Sequence, residues 1–169
     1  MKKRNKHFPK GKNKYIGSIV LGMSDALVEI TGTLAGLTFA LQNTSIIALA
    51  GLITGIAASL SMASSEYLSI RAENSKRKPF TAAFYTGLVY LLTVFILVLP
   101  FFLFVNPFLS LLCTVSSVLV IIALFSYYVS ITQGISFKKR FIEMAGISLS
   151  VAFVSFLIGY ALRVWLGIH

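Results

Sequence analysis

An all-α fold that crosses a membrane five times is predicted by three observations. Of the 169 residues, 57% are hydrophobic and 12% charged, and a mean hydropathy of +0.86 suits lipid rather than water as the solvent. Five apolar stretches, each long enough for the roughly 20 residues that a spanning helix needs, succeed one another from residue 16 onward. Each far exceeds the about ten residues of a membrane strand and lacks strict alternation, so helices rather than a barrel are expected.

The expected spans are 16–42, 45–70, 81–105, 108–130 and 141–166, and residues 1–15 form a basic arm ahead of a membrane domain over 16–169. The breaks fall at Gln42-Asn43-Thr44, Arg71 to Pro79, Asn106-Pro107 and Ser136 to Arg140. Spans one and two are rich in small residues. Gly32 with Gly36, and Gly51 with Gly55, have the GxxxG spacing that lets helices approach closely. Spans three and four are bulkier, with Phe95, Phe101, Phe102, Phe104, Phe108 and Phe125 and no charge, and are expected to be lipid-facing or structural. Pro100 and Pro107 are expected to kink and end span three.

The formal charge of +10 is unevenly placed. Lys2, Lys3, Arg4, Lys6, Lys10, Lys12 and Lys14 precede span one; Arg71, Lys76, Arg77 and Lys78 follow span two; Lys138, Lys139 and Arg140 precede span five. The other two connections have no Lys or Arg, so the positive-inside rule puts the N-terminus in the cytoplasm. Five crossings then put the C-terminus, Arg163 to His169, on the opposite side. The arm is expected to set topology and attract anionic lipid, not nucleic acid, since no aromatic interleaving supports base stacking. Span one is too long for a signal core and carries Asp25 and Glu29, so it is expected to remain in the mature protein.

Several chemistries find no support. Cys113 is expected to be a buried, inert thiol, and His7 and His169 have no metal-ligand spacing. Without a nucleophile beside a His, a His pair or a phosphate-cradling loop, the chain is not expected to be an enzyme.

The informative feature is the acids. Of Asp25, Glu29, Glu66, Glu73 and Glu143, the first three fall inside expected spans. A charged Asp at a helix centre costs about 2.5–3.5 kcal/mol on insertion scales, so these groups should face a cavity or a partner. Asp25 and Glu29 are four residues apart and share one helix face; Met62 and Glu66 repeat that spacing on span two. Counted inward from Ile16 and Ile70, Asp25 and Met62 lie at similar depths, roughly 12–14 Å, so the two pairs are expected to be able to converge. Asp25, Glu29, Met62 and Glu66, assisted by Ser24, Ser61, Ser65 and backbone carbonyls, would suit Fe²⁺ or Mn²⁺; Mg²⁺ has no use for a thioether. The plainer readings are that Glu66 is solvated at the interface and Met62 simply packs. Glu73 is expected on the surface, and Glu143 as an N-terminal acid complementing the dipole of span five. Ion pairs within the membrane are expected to be scarce, because Arg163, near the opposite surface, is the one base in a span.

The runs SDALVEITGTLAGLTFALQNT (24–44) and GLITGIAASLSMASSEYLS (51–69), with a weaker continuation in FIEMAGIS (141–148), resemble the vacuolar iron transporter family, in particular the branch often fused to a ferritin-like domain. The resemblance implies a five-helix protomer, a homodimer with its path at the dimer interface, and proton-coupled export of Fe²⁺ or Mn²⁺ from the cytosol, with the metal as cargo rather than resident cofactor. Asp25 then corresponds to the family's span-one aspartate and Met62 to its span-two methionine, both lining the path; Glu29 and Glu66 resemble the pattern of this branch. Two departures stand out. Arg71 to Pro79 replaces the Glu-rich cytosolic helices that many members insert, and a basic arm stands where the branch often has its ferritin-like domain.

The residues themselves favour neither a path within one protomer nor one between two. The leading expectation is a proton-coupled transporter of divalent metal in the cell membrane. The alternative from another class is a non-transporting membrane scaffold that associates through its GxxxG faces and offers its acids to a partner's Lys or Arg.

Overall fold

The computed structural model describes residues 14–73 and 77–167. The basic arm up to residue 13, Lys76, His7 and His169 therefore lie outside the described residues. Within them the chain is all-helical: α1 (Ile16–Leu41), α2 (Thr44–Ala72), α3 (Pro79–Leu103), α4 (Pro107–Gln133) and α5 (Phe137–Leu166). Each is long and apolar enough to cross a membrane.

The helix ends follow from local chemistry. α1 stops where Gln42 turns left-handed, at φ 50°, its N–H returning to the Thr38 carbonyl. Asn43 then caps α2 by accepting from the Ile46 N–H at 3.1 Å, so the α1–α2 turn is built from the break residues themselves. Asn106 does the same for α4, accepting from Phe108 and Leu109 ahead of Pro107 in the first turn. Pro100 sits inside α3, which ends three residues later. α5 begins at Phe137, so its first turn carries Lys138, Lys139 and Arg140.

α1 is the hub of the bundle, touching each of the other four helices and packing most extensively on α5 and α3. It is also the least hydropathic of the five, as expected for a span wrapped by protein instead of lipid. Small residues let its neighbours in. A side chain on Gly22 would run into the Thr86 carbonyl of α3, and one on Gly159 of α5 into the Gly36 carbonyl. The core runs through Leu27, Ile30 and Leu34 of α1, Tyr90, Val94 and Leu97 of α3, and Val118 and Ile122 of α4. Large apolar side chains such as Leu60, Phe102, Leu124 and Phe153 point outward, the pattern of a protein dissolved in lipid.

Packing sharpens two expectations and corrects a third. Of the two readings of α3, lipid-facing or structural, its inner face takes the structural one: Tyr90, Val94, Leu97 and Val98 are fully buried, because that face of the phenylalanine-rich helix fills the space between α1, α2 and α4. The GxxxG spacings admit close neighbours from within the chain, Gly32 and Gly36 against Val151 and Ser155, Gly51 and Gly55 against Leu34, Val98 and Val94. Glu143 lies seven residues into α5 rather than in its first turn, and its partner is Arg140 at 3.8 Å.

Candidate membrane-embedded metal path

α1 leaves one stripe uncovered. Gly17, Leu21 and Glu29 are exposed and Ser24, Asp25 and Val28 half-buried, positions that recur every three or four residues along one side of the helix. Both candidate acids of α1 therefore lie on the side of the bundle that none of the described helices covers. Glu29 is held from within: Tyr90, wholly buried on α3, donates its hydroxyl to Glu29 Oε2 at 2.7 Å. Ser24 Oγ, next to Asp25, is buried and makes no hydrogen bond.

Glu66 occupies a second position nearer the helix ends. It is buried, accepts a 2.6 Å hydrogen bond from Ser18 Oγ, and has Arg77 Nη1 4.0 Å from the same oxygen. The other arm of that guanidinium is 3.7 Å from Glu73 Oε2, so Arg77 bridges a buried and an exposed carboxylate. Ser18 is itself positioned by α3, since the Thr86 hydroxyl donates to its carbonyl at 3.1 Å. Ion pairs to the acids of the spans are expected to be scarce, and Glu66 has one such partner in Arg77, which lies outside every helix.

The Ser18–Glu66 bond sets the register of antiparallel α1 and α2. Seven residues inward from each puts Asp25 level with Ser59, about 10 Å deeper, and Met62 level with Gly22, one turn from Asp25. The similar depths expected for Asp25 and Met62 hold to within that turn. Met62 is half-buried against the core, whereas Ser61 and Ser65 are exposed. Full convergence is not seen: among the described residues no three of His, Cys, Asp and Glu gather closely enough to hold a metal ion. The acids fall into two stations, an outer one of Glu66, Ser18 and Arg77 and an inner one of Asp25, Glu29 and Tyr90. Glu73 is exposed, as expected of a surface residue, and Cys113 is half-buried and unbonded.

Sequence reading missed Tyr90, Ser18 and Arg77. Tyr90 had a visible signal, because Thr86, Tyr90 and Thr93 form a polar stripe on one face of an otherwise apolar helix. Ser18 and Arg77 had none; which serine and which arginine meets Glu66 depends on the register of the packed helices.

Residues 16–78, which contain α1, α2, the outer station and the two acids of the inner one, match the family model described as the VIT family. No curated protein matches the chain.

Proposed function

We propose that the chain, whose residues 16–78 match the VIT family model and whose helices are long and apolar enough to cross a membrane, is a metal-ion transporter rather than an enzyme and exports Fe²⁺ or Mn²⁺ from the cytosol in exchange for protons. The observation that carries this reading is the inner station: two carboxylates one turn apart in mid-span, on the uncovered stripe of α1, one of them held by a buried tyrosine hydroxyl. Exposed to hydrocarbon such groups are costly, about 2.5–3.5 kcal/mol for a charged Asp, so the stripe calls for an aqueous path or a partner surface. A second copy of the chain would supply both, facing Asp25 and Glu29 with their counterparts.

In this reading Asp25 and Glu29 hold either a divalent cation or protons, and the exchange of one for the other couples the two fluxes. Met62 offers a thioether to a first-row metal from one turn away, and Ser24 Oγ a free hydroxyl beside Asp25. Glu66 receives the ion at the end of the bundle, displacing Arg77. The N-terminus and the α2–α3 connection lie on the cytoplasmic side, the C-terminus on the other, and the membrane is the cell membrane. The scaffold reading loses support because the GxxxG faces it relied on are filled within the chain.

The test is uptake of Fe²⁺ and Mn²⁺ into proteoliposomes under an imposed pH gradient. Native protein should move metal in proportion to the gradient, and Asp25→Asn and Met62→Ala should each cut the flux by tenfold or more. Unchanged flux in both variants would discard the site assignment, and absence of native flux would favour a scaffold.

A further inference from the structure

α2 and α3 pack closely along a line of small residues. The Ser59 hydroxyl donates to the Gly87 carbonyl at 2.8 Å, and a Cβ on Gly87 would lie 3.0 Å from that of Ala63. Larger side chains rise on both sides of this line, Leu60, Leu68 and Tyr67 from α2 and Phe80 and Phe84 from α3, and enclose an open groove of about 570 Å³. The small residues form its floor and the leucines and aromatic rings its walls.

Two properties of the groove select an occupant. From Ser59 to Leu68 on α2, and from Phe80 to Leu91 on α3, it extends about 14–16 Å along the helices, one leaflet of a hydrocarbon core about 30 Å thick. The end at the α2–α3 connection is basic. Arg71, one turn beyond Tyr67, holds its guanidinium 5.8 Å from that ring's centroid, and Lys78 stands two residues before Phe80; both are exposed. Neither forms an ion pair with a described carboxylate. Glu73, the nearby acid, lies within reach of Arg77 and Ser69.

We propose that this groove is a binding site for one anionic phospholipid, an acyl chain lying along the small-residue floor and the phosphate held between Arg71 and Lys78. A leaflet-long apolar trough with two exposed basic residues, Arg71 and Lys78, beyond one end complements such a molecule, whereas a zwitterionic lipid gains less from the cations. The site is separate from the acids of α1 and stands independently of the transport reading.

Native mass spectrometry of the full chain in detergent, titrated separately with phosphatidylglycerol and phosphatidylcholine, tests it. The native chain should retain one phosphatidylglycerol in clear preference to phosphatidylcholine. Arg71→Gln with Lys78→Gln should lower that preference by about tenfold or more, since each cation near an anionic headgroup contributes about a fivefold gain. Ser64→Phe, at an exposed position lining the groove, should abolish retention of both lipids, while Ser64→Ala, which leaves the groove open, should retain them. Equal retention of the two lipids by the native chain would overturn the proposal, as would a preference that survives removal of the two cations. Phosphatidylglycerol binding that persists in Ser64→Phe would assign the lipid to the basic arm and equally overturn it.

Discussion

Tyr90 on α3 has no solvent-accessible surface, yet its hydroxyl reaches outward to donate a 2.7 Å hydrogen bond to Glu29 on the uncovered stripe of α1. A core residue thus fixes a carboxylate that the bundle leaves open. Tyr90→Phe keeps the ring that fills the core and removes the bond, so stability should fall by only about 1–2 kcal/mol. Metal flux should fall several-fold, because Glu29 is then free to leave the inner station. Paired thermal unfolding and proteoliposome flux check this; full flux with Phe at this position would make the bond structural.

In the proposed transport reading, Arg77 and an incoming divalent cation would compete for Glu66 at the outer station. Arg77→Gln removes the competitor while the Ser18 hydrogen bond stays. The half-saturating metal concentration should drop about two- to fivefold, the range of a partly exposed ion pair. A concentration dependence identical to the native one would remove Glu66 from the path.

If a second copy covers the α1 stripe, Leu21 of the two copies approach each other. In a Cys113→Ala background, Leu21→Cys should form an oxidant-dependent dimer in membranes, seen as a band of doubled mass on a non-reducing gel. A control at Phe153→Cys, exposed on α5, should remain monomeric. Cross-linking from α5 but not from Leu21 would place the interface elsewhere.

Two glycines on one helix should respond oppositely. Gly159→Ala drives a methyl group into the Gly36 backbone carbonyl, which cannot rotate away, and should cost about 1–3 kcal/mol. Gly146→Ala meets nothing within 4 Å and should be neutral or stabilising by up to about 1 kcal/mol, through helix propensity. Unfolding temperatures of the two variants in detergent compare them directly.

What could be read in advance was whatever depends on local composition. Apolar runs longer than a bilayer is thick become spanning helices in any packing, since lipid offers backbone groups no other partner, and Asn43, Asn106 and Pro107 mark their ends by capping chemistry confined to a few residues. The pairing of Asp25 with Glu29 was equally legible, because four residues make one turn wherever the helix goes. Tertiary structure decided which acids meet which partners. Glu66 joined Ser18 and Arg77 rather than the inner station, and Glu29 acquired Tyr90 from a helix expected to be lipid-facing or structural. These contacts link residues 48 and 61 positions apart, and they depend on helix rotation and register. Both are set by close backbone approaches such as Gly22 on Thr86, which no local pattern encodes.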